Sequence, residues 1–258
     1  MLKQHKIRGL ESCWLEEGNT EAPILLFLHG YPDSADTWEN QVAHFKDRFH
    51  VVCPYLRGTH PSEPSKDVQR YGQDAIVLDC LEILQKIDPS GAKRIVCVGH
   101  DLGAVHAWNL SQCISDRLDA LVVLNGLSIP QMIQRLKLPI QHLKSWYIYL
   151  IQIPYLPEIF LRSIPKLKDF PVPPINQYRA FVREVPQSVR RSHKKMQNPV
   201  LVLWGEQDPF LMAPTLDEFT PYASFPTVRI IEGSHWIHRD KKDEVNQIVD
   251  RFLSENES

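Results

Sequence analysis

The sequence lacks any pattern of paired cysteines. Its five cysteines, at positions 13, 53, 80, 97 and 113, are odd in number and contain no CxxC pair. They lie in apolar segments such as Val51-Val52-Cys53, which is typical of buried thiols in a reducing compartment. We therefore expect five buried free thiols, and neither a disulfide framework nor a cysteine zinc site.

Long apolar runs are also absent. No stretch reaches the roughly 18 residues of a membrane-spanning helix. Residues 1–6 lead into polar sequence without the apolar core of a signal peptide. We expect a cytoplasmic protein with no membrane span.

The chain has no excess of charge of one sign. Its 29 Lys and Arg residues against 31 Asp and Glu residues give a formal net charge of -2, and both signs are mixed along the chain. Nucleic acids and anionic membranes attract sustained basic faces, so the composition indicates neither partner. A neutral, largely apolar small molecule fits this composition better.

Short apolar segments alternate with helical stripes along the 258 residues, a length that suits one large α/β domain with a small insertion. Six segments predict buried strands: residues 24–28, 51–53, 94–98, 120–124, 199–204 and 228–231. Apolar residues at helical spacing predict helices over 76–87 and 245–253. The alternation predicts an α/β fold, with a mainly parallel, doubly wound sheet and helices on both faces.

The alternation stops between residues 128 and 198, where helical segments follow one another without strands. We interpret this part as an insertion that folds separately above the sheet. The predicted organisation is a core made of residues 1–127 and 199–258, with a small helical cap of residues 128–198 inserted between them.

A strand, a sharp turn and a helix carry the first candidate for catalysis. Residues 94–98 lead into Gly99-His100-Asp101-Leu102-Gly103, and helix-compatible sequence follows. Glycines suit this turn because it leaves no room for side chains two residues from a nucleophile. The pattern predicts that Asp101 is a nucleophile; the alternative is that Asp101 merely caps the helix.

The segment His29-Gly30-Tyr31-Pro32 follows the strand predicted at 24–28. At this position, the backbone N–H of Tyr31 could join that of Leu102 in an oxyanion hole. Alone, the segment would be an ordinary turn after a strand. Together with the turn at Asp101, it predicts the second half of an oxyanion hole.

An acid and a histidine follow the last two predicted strands. Asp208 comes shortly after the strand at 199–204, and His235 shortly after the strand at 228–231. The chain order Asp101, Asp208, His235 is that of nucleophile, acid and base in this type of fold. Glu206 and His238 are the nearest alternatives, but each is offset from the position that the geometry uses.

With these residues in place, the sequence resembles the α/β-hydrolase superfamily over essentially its whole length. The similarity is to the branch with an aspartate nucleophile, which contains epoxide hydrolases and haloalkane dehalogenases. It is carried by residues 29–32, 99–101, 204–208 and 235–236. The resemblance implies an α/β-hydrolase fold with a cap inserted after the sixth core strand, where the predicted insertion begins.

Within the cap, Asn176-Gln177-Tyr178-Arg179 looks like the Asn-x-Tyr-Arg signature of epoxide hydrolases. The resemblance implies two ring-opening tyrosines, Tyr178 and Tyr147. Tyr149 remains an alternative to Tyr147, and packing inside the cap is the other interpretation of these rings. The resemblance also assigns substrate contact to six side chains: His29, Pro32, Trp38, His100, Trp146 and Trp236.

An epoxide offers a saturated carbon to a nucleophile. Attack by a serine would leave an ether that water does not readily cleave, whereas attack by Asp101 leaves an ester. A tyrosine could protonate the ring oxygen, and His235, oriented by Asp208, could activate the water that hydrolyses the ester. We therefore predict an epoxide hydrolase that acts on a small apolar epoxide as a monomer or homodimer, without a metal or organic cofactor.

Two other functions stay open. A haloalkane or haloacid dehalogenase would share the nucleophile and the histidine, but it usually holds the halide with an indole N–H beside the nucleophile, where this chain has Leu102. A non-catalytic binding protein is the second alternative, because a fold alone does not establish activity. The complete triad and the two cap tyrosines favour an enzyme.

Overall fold

An eight-stranded sheet forms the centre of the molecule. The computed structural model describes residues 1–163, 172–190 and 194–256. The strands are β1 (Leu2–Ile7), β2 (Leu10–Gly18), β3 (Ile24–Leu28), β4 (His50–Pro54), β5 (Ile95–His100), β6 (Leu118–Leu124), β7 (Val200–Gly205) and β8 (Pro226–Ile231). Their order is β1-β2-β4-β3-β5-β6-β7-β8, in which β1 and β2 pair antiparallel and β3 to β8 are parallel.

Helices cover both faces of this sheet. They are α1 (Glu39–Phe45), α2 (Gln73–Ile87), α3 (Leu102–Cys113), α4 (Ile129–Arg135), α5 (Pro139–Lys144), α6 (Trp146–Ile151), α7 (Leu156–Ser163), α8 (Ile175–Arg190), α9 (Ile237–Asp240) and α10 (Lys242–Glu255). In the described parts of the chain, no helix has the length and apolar character that crossing a bilayer requires.

Two apolar cores lie on opposite faces of the sheet. Ile76 of α2 and Trp108 of α3 belong to one core, and Phe45 of α1 and Val249 of α10 belong to the other. The central strands β3, β5 and β7 are buried along their whole length, as expected for parallel strands covered on both faces. The predicted α/β class, with a mainly parallel and doubly wound sheet, is confirmed.

The six predicted strands are present, each within two residues of its predicted ends. The apolar pattern did not predict β1 and β2, which pair with each other as a hairpin before the parallel part begins. Most residues of β1 are exposed, so this edge strand has no continuous apolar run. Strands of this kind are recognised by their partner, and not by their own composition.

The insertion consists of α4 to α8, which lie between β6 and β7. Its inward side chains, among them Ile148, Ile151 and Phe181, join the core on the α2 and α3 face of the sheet. Side chains of α6 and α8 line a cavity together with Asp101, so the insertion lies over the carboxyl ends of the parallel strands, where β5 ends. It therefore covers the turn that carries Asp101.

The expectation of five buried cysteines is wrong at one position. Cys13, Cys53, Cys80 and Cys97 are buried, but Cys113 is exposed. Cys113 is the last residue of α3. It is flanked by Gln112 and Ile114, and only the fold shows that this turn of the helix faces solvent.

We expect a thiol reagent such as DTNB to modify one of the five cysteines rapidly in the native protein, and all five after denaturation. The four buried thiols are shielded by the sheet and its helices, whereas Cys113 is accessible. Absorbance of the thiolate released from the reagent measures the number of modified cysteines. Cys113→Ser should remove the fast phase, and two or more fast thiols in the native protein would contradict the burial of the other four.

Candidate active site

The turn between β5 and α3 consists of Asp101 alone. β5 ends at His100 and α3 begins at Leu102, and Asp101 has φ 52° and ψ -121°. This backbone conformation is rare for a residue with a side chain and is typical of functional sites. Gly103 permits the turn, because a Cβ there would lie 2.0 Å from the carbonyl oxygen of Leu28.

Two backbone N–H groups hold the carboxylate of Asp101. The N–H of Tyr31 donates to Oδ2 of Asp101 over 3.0 Å, and the N–H of Leu102 also bonds to this carboxylate. Gly30 allows the approach, because a Cβ there would lie 2.5 Å from Cβ of Asp101. The predicted pair of N–H groups thus meets at Asp101, which is the geometry that an oxyanion hole requires.

The structure brings His235 between the two predicted aspartates. Nδ1 of His235 lies 2.7 Å from Oδ2 of Asp208, and its Nε2 lies 3.7 Å from Oδ1 of Asp101. The first distance is a hydrogen bond, which orients the ring. The second distance is too long for a hydrogen bond, so Nε2 faces Asp101 without contacting it.

Asp208 is held by groups that the sequence analysis did not identify. Asn125, at the end of β6, donates from Nδ2 to Oδ2 of Asp208 over 2.7 Å, and its Oδ1 accepts the N–H of Gly205. The N–H groups of Phe210 and Leu211 donate to Oδ1 of Asp208. Asn125 has a positive φ of 42°, a backbone conformation that is uncommon for residues other than glycine.

Burial and hydrogen bonding set the charges of the triad. Burial raises the pKa of Asp101 above its ordinary value, and His235 and the two N–H groups offset only part of this rise. Burial would also raise the pKa of Asp208, but the hydrogen bonds that it accepts lower it below the ordinary value. The pKa of His235 is raised, because the two carboxylates outweigh its burial. His235 is therefore a stronger base than a free imidazole.

Two tyrosines of the insertion face Asp101. The rings of Tyr147 and Tyr178 meet edge to face with centroids 5.8 Å apart, and the two hydroxyls share a hydrogen bond. Burial and the nearby charge of Asp101 raise the pKa of both phenols, so both keep their protons. Tyr149 lies on the outer side of α6, where its hydroxyl contacts His142. The structure thus brings Tyr147, and not Tyr149, to the site.

A narrow cavity of about 40 Å³ lies between Asp101 and the insertion. Apart from Asp101, Gly126 and the two tyrosines, its walls are apolar side chains: Leu102, Val105, Leu127, Met132, Ile148, Phe181 and Leu211. The cavity can therefore take an apolar group beside one carboxylate and two phenols.

Three of the six predicted substrate contacts lie behind the site. Nε2 of His29 accepts the N–H of Leu56, and the ring is buried. Nε2 of His100 donates to the carbonyl of His235 over 2.8 Å. Trp38 is wholly buried on the opposite face of the sheet. These three side chains lie beneath the turn at Asp101 and beneath His235, and they do not line the cavity.

The other three lie outside the cavity as well. Pro32 lines a surface groove beside Asp33, and Trp236 donates its Nε1–H to Oδ2 of Asp33. Trp146 is 60% exposed on the outer side of α6. Five of the six predicted substrate contacts lie within two residues of a site residue in the sequence and Trp38 lies seven away, but none of their side chains lines the cavity.

One group of the described residues has the composition of a metal site. Ligand atoms of Asp33, His100 and His238 lie within 4.8 Å of one another. Asp33 already accepts hydrogen bonds from Trp236 and Arg239, and Arg239 supplies positive charge beside its carboxylate. Nε2 of His238 contacts the hydroxyl of Thr37, so this alternative to His235 faces away from Asp101. Glu206, the alternative to Asp208, is exposed.

Comparisons with known proteins agree with this architecture. Residues 23–153 match the family described as alpha/beta hydrolase fold. The chain is 30% identical to "Epoxide hydrolase 4" of Homo sapiens and 31% identical to "Epoxide hydrolase 3" of Mus musculus. Each match covers 97% of this chain, and 77% and 76% of the two relatives.

Solved structures show the same fold. A crystal structure of an epoxide hydrolase from Bacillus megaterium in complex with an inhibitor superimposes with a TM-score of 0.84. The match covers 98% of this chain and 100% of that chain, at 23% identity. A second structure, from a study of epoxide hydrolases in metagenomes from hot environments, gives a TM-score of 0.82 at 26% identity and covers 98% of both chains.

We expect Asp101→Asn to raise the melting temperature at pH 8 by a few degrees, on the order of 2–4 °C. The pKa of Asp101 is raised by burial. The unfolded chain therefore releases this proton at a lower pH than the native protein does, and the carboxylate destabilises the fold above the native pKa. The gain in melting temperature should shrink as the pH falls through the pKa of Asp101 in the native protein towards the ordinary pKa of an aspartate.

Thermal unfolding of the parent and the variant between pH 4.5 and pH 8 measures this gain. Asp47→Asn is the matched control, because Asp47 is exposed and its neutralisation should change the melting temperature little. A variant with no gain in melting temperature, or with a gain that does not depend on pH, would show that the buried charge of Asp101 does not destabilise the fold.

Proposed function

This chain belongs to the alpha/beta hydrolase fold family, with relatives named epoxide hydrolases, and we propose that it hydrolyses epoxides to vicinal diols. The observation that carries the proposal is the arrangement of Asp101 opposite Tyr147 and Tyr178 across one apolar cavity. A carboxylate on one side and two phenols on the other are the groups that opening a three-membered ether ring requires.

In the first half of the reaction, a carboxylate oxygen of Asp101 attacks an epoxide carbon. The bond from this carbon to the ring oxygen breaks, and an ester forms between Asp101 and the substrate. The ring oxygen takes a proton from Tyr147 or Tyr178. The raised pKa values of these phenols keep them protonated until the oxygen becomes basic.

In the second half, water hydrolyses the ester. His235 removes a proton from a water molecule that attacks the carboxyl carbon of Asp101. The 3.7 Å between Nε2 and Oδ1 leaves His235 free to contact this water, and Asp208 stabilises the charged ring. The N–H groups of Tyr31 and Leu102 stabilise the oxyanion until the diol leaves. As the tetrahedral intermediate collapses, the departing diol oxygen takes the proton from His235, and the carboxylic acid of Asp101 releases its proton, which restores the tyrosine. One epoxide and one water therefore give one diol.

The cavity favours this function over dehalogenation. A departing halide is usually held by an indole N–H beside the nucleophile, and the described residues that line the cavity include no tryptophan. Trp236 uses its N–H on Asp33, and Trp146 faces outward. The phenols, by contrast, can transfer a proton to the opening epoxide oxygen, which a departing halide does not need.

The apolar walls favour a small, largely apolar epoxide as the substrate. Described groups supply every proton transfer of the proposed reaction, so it requires no metal or organic cofactor. The unpaired thiols suit a reducing compartment, and we propose a cytoplasmic location.

The decisive test uses His235→Gln. Attack by Asp101 needs no general base, whereas hydrolysis of the ester does, so this variant should react once and stop. Mass spectrometry after exposure to styrene oxide should show an adduct equal to the whole substrate mass, on the peptide that contains Asp101. Turnover of the epoxide by His235→Gln at the parent rate would disprove the mechanism.

Two controls separate the alternatives. Asp101→Asn should form no adduct, because an amide is a poor nucleophile. An alkyl halide that reacted with His235→Gln would add its mass less hydrogen halide, which would identify a dehalogenase. A parent protein inert to both epoxides and halides would instead point to a binding protein.

We expect Tyr147→Phe combined with Tyr178→Phe to nearly abolish epoxide opening. Loss of one proton donor typically costs about 10²–10⁴ in rate, and the second phenol can cover part of a single loss. Tyr149→Phe is the matched control, because Tyr149 lies on the same helix but faces outward. Single-turnover rates measure the step. Full activity in the double variant, or equal loss in the control, would disprove the assignment.

A further inference from the structure

The insertion exposes an unusual concentration of apolar side chains. Of the seventeen large hydrophobic residues that are exposed in the described chain, ten belong to α5, α6, α7 and their connections. We call them the outer face of the insertion: Leu138, Ile140, Leu143, Trp146, Tyr149, Ile153, Tyr155, Leu156, Ile159 and Phe160. A monomer rarely leaves such a group in water unless the group binds something.

The outer face is one surface and not a set of scattered residues. His142 of α5 contacts Tyr149 of α6 through ring and hydroxyl, and α6 packs against α7. On α6, Tyr147 and Ile148 line the cavity while Trp146 and Tyr149 are exposed. This helix is therefore apolar on both its sides, whereas an ordinary surface helix has a polar outer side.

Within residues 137–163, the exposed charges have one sign. Residues 137–163 are all described, and their exposed charged side chains are Lys137 and Arg162. The single acidic residue in this range, Glu158, is half-buried and bonds to Arg179 with both oxygens. No exposed carboxylate is therefore available here to a basic partner.

We propose that the outer face binds the interfacial region of a lipid bilayer, so that the protein lies on the membrane without spanning it. Leucine, isoleucine and phenylalanine side chains can enter the acyl region, and Trp146, Tyr149 and Tyr155 suit the headgroup level. Lys137 and Arg162 fit lipid phosphates. Two copies of the chain fit less well, because their cations would meet with no carboxylate to pair them.

This placement goes beyond the proposed function and has a consequence for it. The cavity lies on the inner side of α6, one helix away from the outer face. If the chain hydrolyses epoxides, its substrates include lipophilic epoxides dissolved in the bilayer, which would reach Asp101 without crossing much water. Binding itself needs no catalysis, so the two proposals can fail separately.

The test is sedimentation with vesicles of phosphatidylcholine containing about 20% phosphatidylserine, without any substrate. Ile140→Gln/Leu143→Gln/Ile159→Gln should weaken binding at least about tenfold, since three apolar side chains no longer enter the lipid. The matched control is Leu216→Gln/Phe225→Gln/Ile230→Gln, which replaces exposed apolar residues elsewhere and should change binding less than about twofold. Circular dichroism verifies that both variants fold.

Tryptophan quenching locates the contact. Lipids brominated on the acyl chains should quench the fluorescence of Trp146, and Trp146→Phe should lose this quenching. Absence of vesicle binding by the parent protein, or equal weakening by both triple variants, would overturn the proposal. So would a stable dimer in sedimentation velocity that only the outer-face variant disrupts, because a second copy would then cover this face. Asp101→Asn should bind vesicles like the parent, which separates this result from the fate of the catalytic proposal.

Discussion

The buried carboxylate of Asp101 is the interaction on which the rest of the site depends. A carboxylate away from water needs donors of its own, and here they are the N–H groups of Tyr31 and Leu102 with His235 nearby. These donors meet only because Asp101 adopts a rare backbone conformation between β5 and α3. The packed helices on both faces of the sheet maintain that strained turn.

The groups around Asp101 set the protonation states of the other residues of the site. Asp208 stays ionised because Asn125 and two backbone N–H groups bond to it, and it fixes the ring of His235. The phenols of Tyr147 and Tyr178 remain neutral beside Asp101. The site thus places a charged acceptor and neutral donors on opposite walls of one largely apolar cavity, which is the separation that acid–base chemistry needs.

One short helix of the insertion, α6, has two structural roles. The inner side of α6 closes the cavity, and its outer side presents aromatic and aliphatic groups to the surroundings. Averaged over the chain, charge and apolar content are ordinary, so composition indicated no membrane partner. The outer face arises because three consecutive short helices, α5, α6 and α7, turn the same kind of residue outward.

The sequence by itself determined where the parallel strands lie along the chain and the positions of Asp101, Asp208 and His235, because apolar runs and glycine-flanked turns are local patterns. The hairpin of β1 and β2, the role of Asn125 and the exposure of Cys113 were decided by tertiary contacts. The same holds for the choice between Tyr147 and Tyr149. Both rings lie on one helix, and only the packing of that helix over the sheet decides which ring faces Asp101 and which faces solvent.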